Sequence, residues 1–144
     1  MNFDTLPRLA AGSHKANAPE LCAMEMVAYL ERLPHSDRPP CTCPVISEYV
    51  RSVNDWMTDE QRQLLLPMLS QLVDTVSPEH EMQRKDALVI HVISKALPLA
   101  LTGFVSGGFI HDLGRVSSIE EAREVTAAIV EDTDPAALVT ASNA

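Results

Sequence analysis

A ten-residue segment, Pro34-His-Ser-Asp-Arg-Pro-Pro-Cys-Thr-Cys43, limits the fold of this chain more than any other stretch. Each of its three prolines lacks an amide donor and pushes the preceding residue toward extended conformations, so the segment cannot be helix. The sequence on either side reads as helix. Upstream, Pro19 suits a first helical position and Glu20 the positive N-terminal end, which predicts a helix from Pro19 to about Leu33. Leu21, Met24, Met26, Val27, Ala28 and Leu30 surround most of its circumference, so it should be central and largely buried. Downstream, Pro44 opens a second helix to about Met57, with Ile46, Tyr49, Val50, Val53 and Met57 on one face. The proline segment between them is an ordered loop or a solvent linker. If it folds back over the first helix, it brings its thiols near Glu25.

Thr58-Asp59-Glu60-Gln61 has the pattern of a capping box and starts a third helix reaching about Val76, kinked or divided at Pro67. Ser77-Pro78-Glu79 repeats the start signal for a fourth helix, to about Leu97 or beyond Pro98. In residues 102–117, Gly103, Gly107, Gly108 and Gly114 interrupt the apolar residues, so a short helix with turns and a small hairpin both fit. Ser117 with Glu120 opens a last helix to about Glu131, its core face Ile119, Ala122, Val125 and Ile129. Asp134-Pro135 suits one further turn before a frayed tail. The expected fold is all-α: a compact bundle of five or six helices, with an ordered Pro/Cys-rich loop between the first two long ones. One domain would cover 1–144, with 1–18 as an N-terminal arm and 134–144 as the tail.

Charge narrows the partners. Eleven Lys and Arg stand against 20 Asp and Glu, a net −9, which argues against non-specific nucleic-acid binding because no basic surface is available to displace counterions. Residues 101–144 carry Arg115 and Arg123 against seven acids (2 − 7 = −5), which suits a solubilising surface or a basic partner. No window approaches the ~18 apolar residues of a membrane span, and the N-terminus lacks the basic-then-apolar order of a signal peptide. A cytoplasmic protein without membrane contact is expected. Three cysteines, an odd number, do not suit a disulfide framework.

The chemistry-bearing residues crowd into positions 14–43. Cys22, Cys41, Cys43 and either His14 or His35 could supply the thiolate and imidazole ligands of a closed zinc site, the Cys-x-Cys pair facing one ion in extended chain. Alternatively Cys43, just before the helix at Pro44, could be a nucleophile activated by the helix N-terminus and a histidine oriented by Glu25. A third arrangement is a small-molecule pocket between the first helix and the 34–43 loop, with Cys22, Glu25, Tyr29, Ser36 and Asp37 as polar contacts. Glu25 itself lies on an apolar helix, so it is at an exposed edge, holds a loop backbone or an arginine, or is functional. His111-Asp112 in the Gly-rich segment is a further candidate acid–base pair. Gly107-Gly108 belongs to no phosphate-binding motif, and no zincin, calcium-loop or hydrolase-elbow motif is present.

Gly12-Ser13-His14, Cys22-Ala-Met-Glu-Met-Val-Ala-Tyr29, His35-Ser-Asp37 and Pro39-Pro-Cys-Thr-Cys-Pro-Val-Ile46, followed by Asn54-Asp55, resemble a family of uncharacterised proteins from actinobacteria and their phages. The likeness covers about residues 12–70. It implies that this stretch is a unit and that a phage or actinobacterial origin is plausible; it carries no activity. The function expected is that of a non-enzymatic helical module acting through protein contacts, as a homo-oligomer or with a protein partner. Zinc binding and small-molecule binding or catalysis are the alternatives.

Overall fold

The computed structural model describes residues 6–103 and 106–132, with side chains through Ile129. The chain is mostly helical, with seven α-helices and one two-stranded sheet among the described residues. It divides into two compact units, Met1–Arg84 and Lys85–Ala144.

The first unit opens on a short parallel pair, β1 (Arg8–Leu9) beside β2 (Glu20–Leu21), with Leu9 opposite Leu21. This pair overrides the helix start expected at Pro19. The Pro19 carbonyl accepts the Arg8 N–H at 3.0 Å and Leu21 O accepts the Ala10 N–H at 2.9 Å, so residues 19–21 are held extended. Helix α1 begins later, spanning Ala23–Leu30 with Cys22 as its N-cap. Arg32, at φ 54°, turns the chain out of the helix: the Leu33 N–H reaches Ala28 O and the Arg32 N–H reaches Tyr29 O, the paired bonds of a Schellman ending with arginine where glycine usually sits. Residues 23–28 of α1 are all buried. Met24, Met26 and Val27 form the core with Leu9, Leu21 and Leu69, as the apolar circumference predicts.

Helix α2 (Pro44–Trp56) starts and ends where the sequence places it. Thr58 and Gln61 cap α3 (Asp59–Gln63) reciprocally. Pro67 then limits the third helical stretch: the chain tightens into a 3₁₀ helix, Leu66–Leu72, and stops short of the expected Val76.

The fourth helix, α4, spans Pro78–His91, as Ser77-Pro78-Glu79 predicts. It widens into one π turn, Val92–Ala96, before α5 (Leu97–Leu101). Pro98 has no N–H and its ring crowds the carbonyl four residues back; the wide turn lets the helical path continue past it. The Gly-rich segment resolves as helix, not hairpin. Ser106 Oγ accepts the Phe109 N–H at 3.3 Å and starts α6 (Gly107–Gly114). Helix α7 (Ile119–Asp132) starts one residue later than Ser117 would place it: Ser118 Oγ accepts the Glu121 N–H, and Glu121 Oε2 accepts the Ser117 N–H. Leu113, Val116 and Ala122 are the buried apolar side chains of this part. The turn expected at Asp134-Pro135 and the tail lie outside the described residues. No helix among the described residues is long and apolar enough to cross a membrane.

Candidate functional site

The first turn of α1 ends in a carboxylate with nowhere to go but inward. Glu25 is the third helical residue, where a carboxylate can reach back to the N-cap amide. Its Oε2 accepts the Cys22 N–H at 2.8 Å, while Cys22 Sγ accepts the Glu25 N–H at 3.4 Å, a capping box built on a thiol. The apolar helix around it leaves the side chain 1% exposed. A buried carboxylate needs partners, and the loop after β1 supplies them. The His14 N–H donates to Oε1 at 2.7 Å, and His14 Nδ1 lies 2.9 Å from Oε2.

The proline segment does fold back onto this centre, through its histidine. His35 Nε2 is 2.8 Å from His14 O and 3.6 Å from Glu25 Oε1, so both imidazoles flank one carboxylate. Burial alone would raise the Glu25 carboxyl; the His14 and Cys22 amides and the His14 ring outweigh it and hold it below the usual carboxylate range. The same burial, with the Glu25 charge beside it, pushes the Cys22 thiol up to about 11. Cys22 is therefore a neutral thiol near pH 7 and a poor nucleophile.

The cysteines go separate ways. Cys41 packs against the core with its Sγ 3.8 Å from Thr42 Oγ1. The Cys43 N–H donates to Thr75 Oγ1. Burial would raise the Cys43 thiol, but the Ile46 amide, the Arg84 guanidinium and the Val45 amide lower it below its ordinary value. No histidine hydrogen-bonds that thiol among the described residues, and at 1% exposure it is closed to a substrate. Among the described residues no group of three or more His, Cys, Asp or Glu side chains is placed to hold a metal ion, so Cys22, Cys41 and Cys43 with His14 or His35 do not form a zinc ligand set. His111 and Asp112 form an exposed surface pair, 3.5 Å apart.

Above the buried carboxylate lies a cleft of about 210 Å³ walled by Gly12, Ser13, Cys22, Asp37, Arg51 and Asp55. Arg51 bridges Asp37 at 3.0 Å and Glu48 at 3.1 Å. Asp55 Oδ1 accepts the Gly12 N–H at 2.8 Å and Asn54 Nδ2 at 2.9 Å. Of the proposed binding residues, Asp37 and Cys22 line this cleft, and Glu25 does not line it but holds the Cys22 and His14 amides. Tyr29 does not join them: with His35 it lines a separate cavity of about 240 Å³ beside Leu21 and Leu33. The Ser36 hydroxyl accepts the Arg38 N–H, a loop-shaping bond.

Arg51 carried no sequence signal of its own, and Asn54-Asp55 entered only through the family resemblance, with no role attached. Arg51 and Asp55 lie four apart on α2, a spacing that reads as a solvent-exposed ion pair, yet each reaches a different loop. Asn54, fully buried, accepts the Ala23 N–H and donates to Ala10 O, joining α2 to both flanks of the site. No family model matches the chain, and neither does any curated protein or solved structure.

Proposed function

We propose that the N-terminal unit is a non-enzymatic binding module whose ligand is a small polar molecule seated in the cleft of Ser13, Cys22, Asp37, Arg51 and Asp55. The observation that carries this reading is the cleft's construction. Four separate segments bring charged or hydrogen-bonding side chains to one concave surface, and beneath it a buried carboxylate with three N–H···O contacts from His14 and Cys22 fixes two of those segments. Pre-formed concave sites with a few fixed polar groups are the usual form of small-ligand sites. A proton-transfer role for Glu25 is disfavoured, because the side chain is buried, accepts from His14 and Cys22, and its carboxyl is held below the usual range. Two carboxylates against one guanidinium favour a ligand with a cationic group, with Arg51 able to receive a carboxylate if Asp37 or Glu48 yields it. Taken with the family resemblance of residues 12–70, the module is the part of the chain that acts.

The test is a titration of the full chain with primary amines and amino acids, followed by amide NMR. Saturable shifts at Gly12, Ser13 and Asp55, lost in Asp55→Asn, are expected. A panel in which no compound moves those amides sinks the reading. A second reading, protein contact, draws on one observation: Trp56 is 91% exposed, the extreme among the large apolar residues described. Exposed tryptophans are favoured anchors of protein interfaces.

A further inference from the structure

The N-terminus of α2 presents a different kind of opening. A cavity of about 200 Å³ lies there, lined by Arg38, Pro39, Thr42, Pro44, Ser47 and Val76 among others. Four features of its wall point one way. The helix is thirteen residues long and its N-cap, Cys43, makes no side-chain capping bond. Its first turn contains no acidic residue, so the positive end of the helix is uncompensated from within. Ser47, one turn into the helix, is 3% exposed, and its Oγ is the one buried side-chain polar atom among the described residues that has no hydrogen-bond partner. Arg38 brings a guanidinium to the rim; it also contacts Glu48 at 3.4 Å, an exposed carboxylate that an incoming anion has to displace.

We propose that this cavity is a binding site for a small oxyanion, a phosphate or the phosphoryl end of a small metabolite, held by the first turn of α2, the Ser47 hydroxyl and the Arg38 guanidinium. The positive end of a helix attracts such groups through its dipole. Pro44 has no N–H, the Ser47 amide is used by Cys43 O at 2.9 Å, and the Val45 and Ile46 amides face the Cys43 thiol, so the helix contributes its dipole and the side chains contribute the donors. The Ser47 hydroxyl adds a donor that otherwise has nothing to bond. Pro39 and Pro40 stiffen the opposite wall, so little order is lost on binding. The site is separate from the Asp37/Arg51/Asp55 cleft and stands or falls independently of it.

Inorganic phosphate is the probe, added to the full chain at constant ionic strength with chloride as the control anion. Saturable amide shifts at Val45, Ile46 and Ser47 are expected, with inorganic sulfate competing. Ser47→Ala should weaken the phosphate affinity about fivefold while the melting temperature holds or rises, because it removes an unpaired buried hydroxyl. Arg38→Gln should weaken it by about the same factor, and Arg115→Gln, on a distant segment of sequence, should not change it. Shifts linear in phosphate up to high concentration, or affinities unchanged in both Ser47→Ala and Arg38→Gln, overturn the proposal. An effect of phosphate matched by chloride at equal ionic strength overturns it as well.

Discussion

The two units of this chain are held together by different means. In the first, polar side chains reach far along the sequence to satisfy backbone: Glu25 to residue 14, Asn54 to Ala10 and Ala23, Gln63 to both the N–H and the carbonyl of Leu9. Arg62, 3% exposed, donates to Asn54 O and Met57 O and pairs with Asp59. In the second, the side-chain bonds seen run within a turn: Thr102 to Pro98 O, Thr126 to Ala122 O, Ser117 with Glu121. Local bonds support a helix but do not fix one element against another; among the described residues of this unit Leu113, Val116 and Ala122 are buried apolar side chains. Buried polar networks, fully satisfied, specify a single arrangement. The unit with the polar cleft is the one that has them.

The sharpest way to break this contrast is Glu25→Ala. It leaves the His14 and Cys22 amides without acceptors in a closed interior, and the loss should be about 4 kcal/mol of stability. Hydrogen exchange is the readout: amides of residues 8–30 should lose protection while those of α7 keep theirs. Equal loss in both units would show that the network is not local to the first. The reverse experiment is Leu113→Ala, a cavity in a fully buried position, at about 3 kcal/mol. Here α6 and α7 should open and the His14–Glu25 bonds persist, seen in an unshifted His14 ring resonance.

How far the sequence announces these two regimes follows from what it can encode locally. The caps at Thr58 and Ser106, the start at Pro44 and the interruption at Pro67 are local geometry, and three of them are legible as residue patterns. The buried run of α1 is legible because its apolar residues encircle the helix. Pro19 misleads because its helix-starting value is local, whereas the pairing of β1 with β2 that overrides it joins residues twelve apart. Glu25 is legible as a carboxylate in an apolar setting that had to be exposed, paired to loop backbone or functional; that it holds the backbone of residue 14 depends on a loop returning, which no periodicity records. The thiols mislead for the opposite reason. Proximity in sequence suggested a cluster, but Cys22 caps α1, Cys41 packs on the core and Cys43 sits before α2 beside Arg84 without capping it.

The next effect is smaller and depends on pH. The Glu25 carboxyl is depressed in the folded protein, so the ionised form is favoured by folding. Its contribution is fully present above the ordinary carboxylate pKa and is lost as pH falls through the depressed folded value, where the unfolded chain binds the proton first. Chemical denaturation at stepwise lower pH should therefore weaken the first unit before the second, and Glu25→Gln should flatten that pH dependence. A pH profile identical in Glu25→Gln and the parent would assign the acid sensitivity to other carboxylates.

The smallest stability effect sharpens the contrast from its surface. Trp56 closes α2 at 91% exposure, at the end of the helix that carries Asn54 and Asp55 into the site. A tryptophan so exposed contributes little to its own unit, and Trp56→Ser should change stability by no more than about 0.5 kcal/mol. If the first unit acts through protein contact, the same substitution abolishes a concentration-dependent sedimentation shift of the full chain. If it acts through the cleft, sedimentation is indifferent to Trp56 and the ligand-induced shifts at Gly12 and Asp55 persist in the variant. The two readings thus part on one residue: stability holds in both, and association depends on Trp56 only if the unit acts through protein contact.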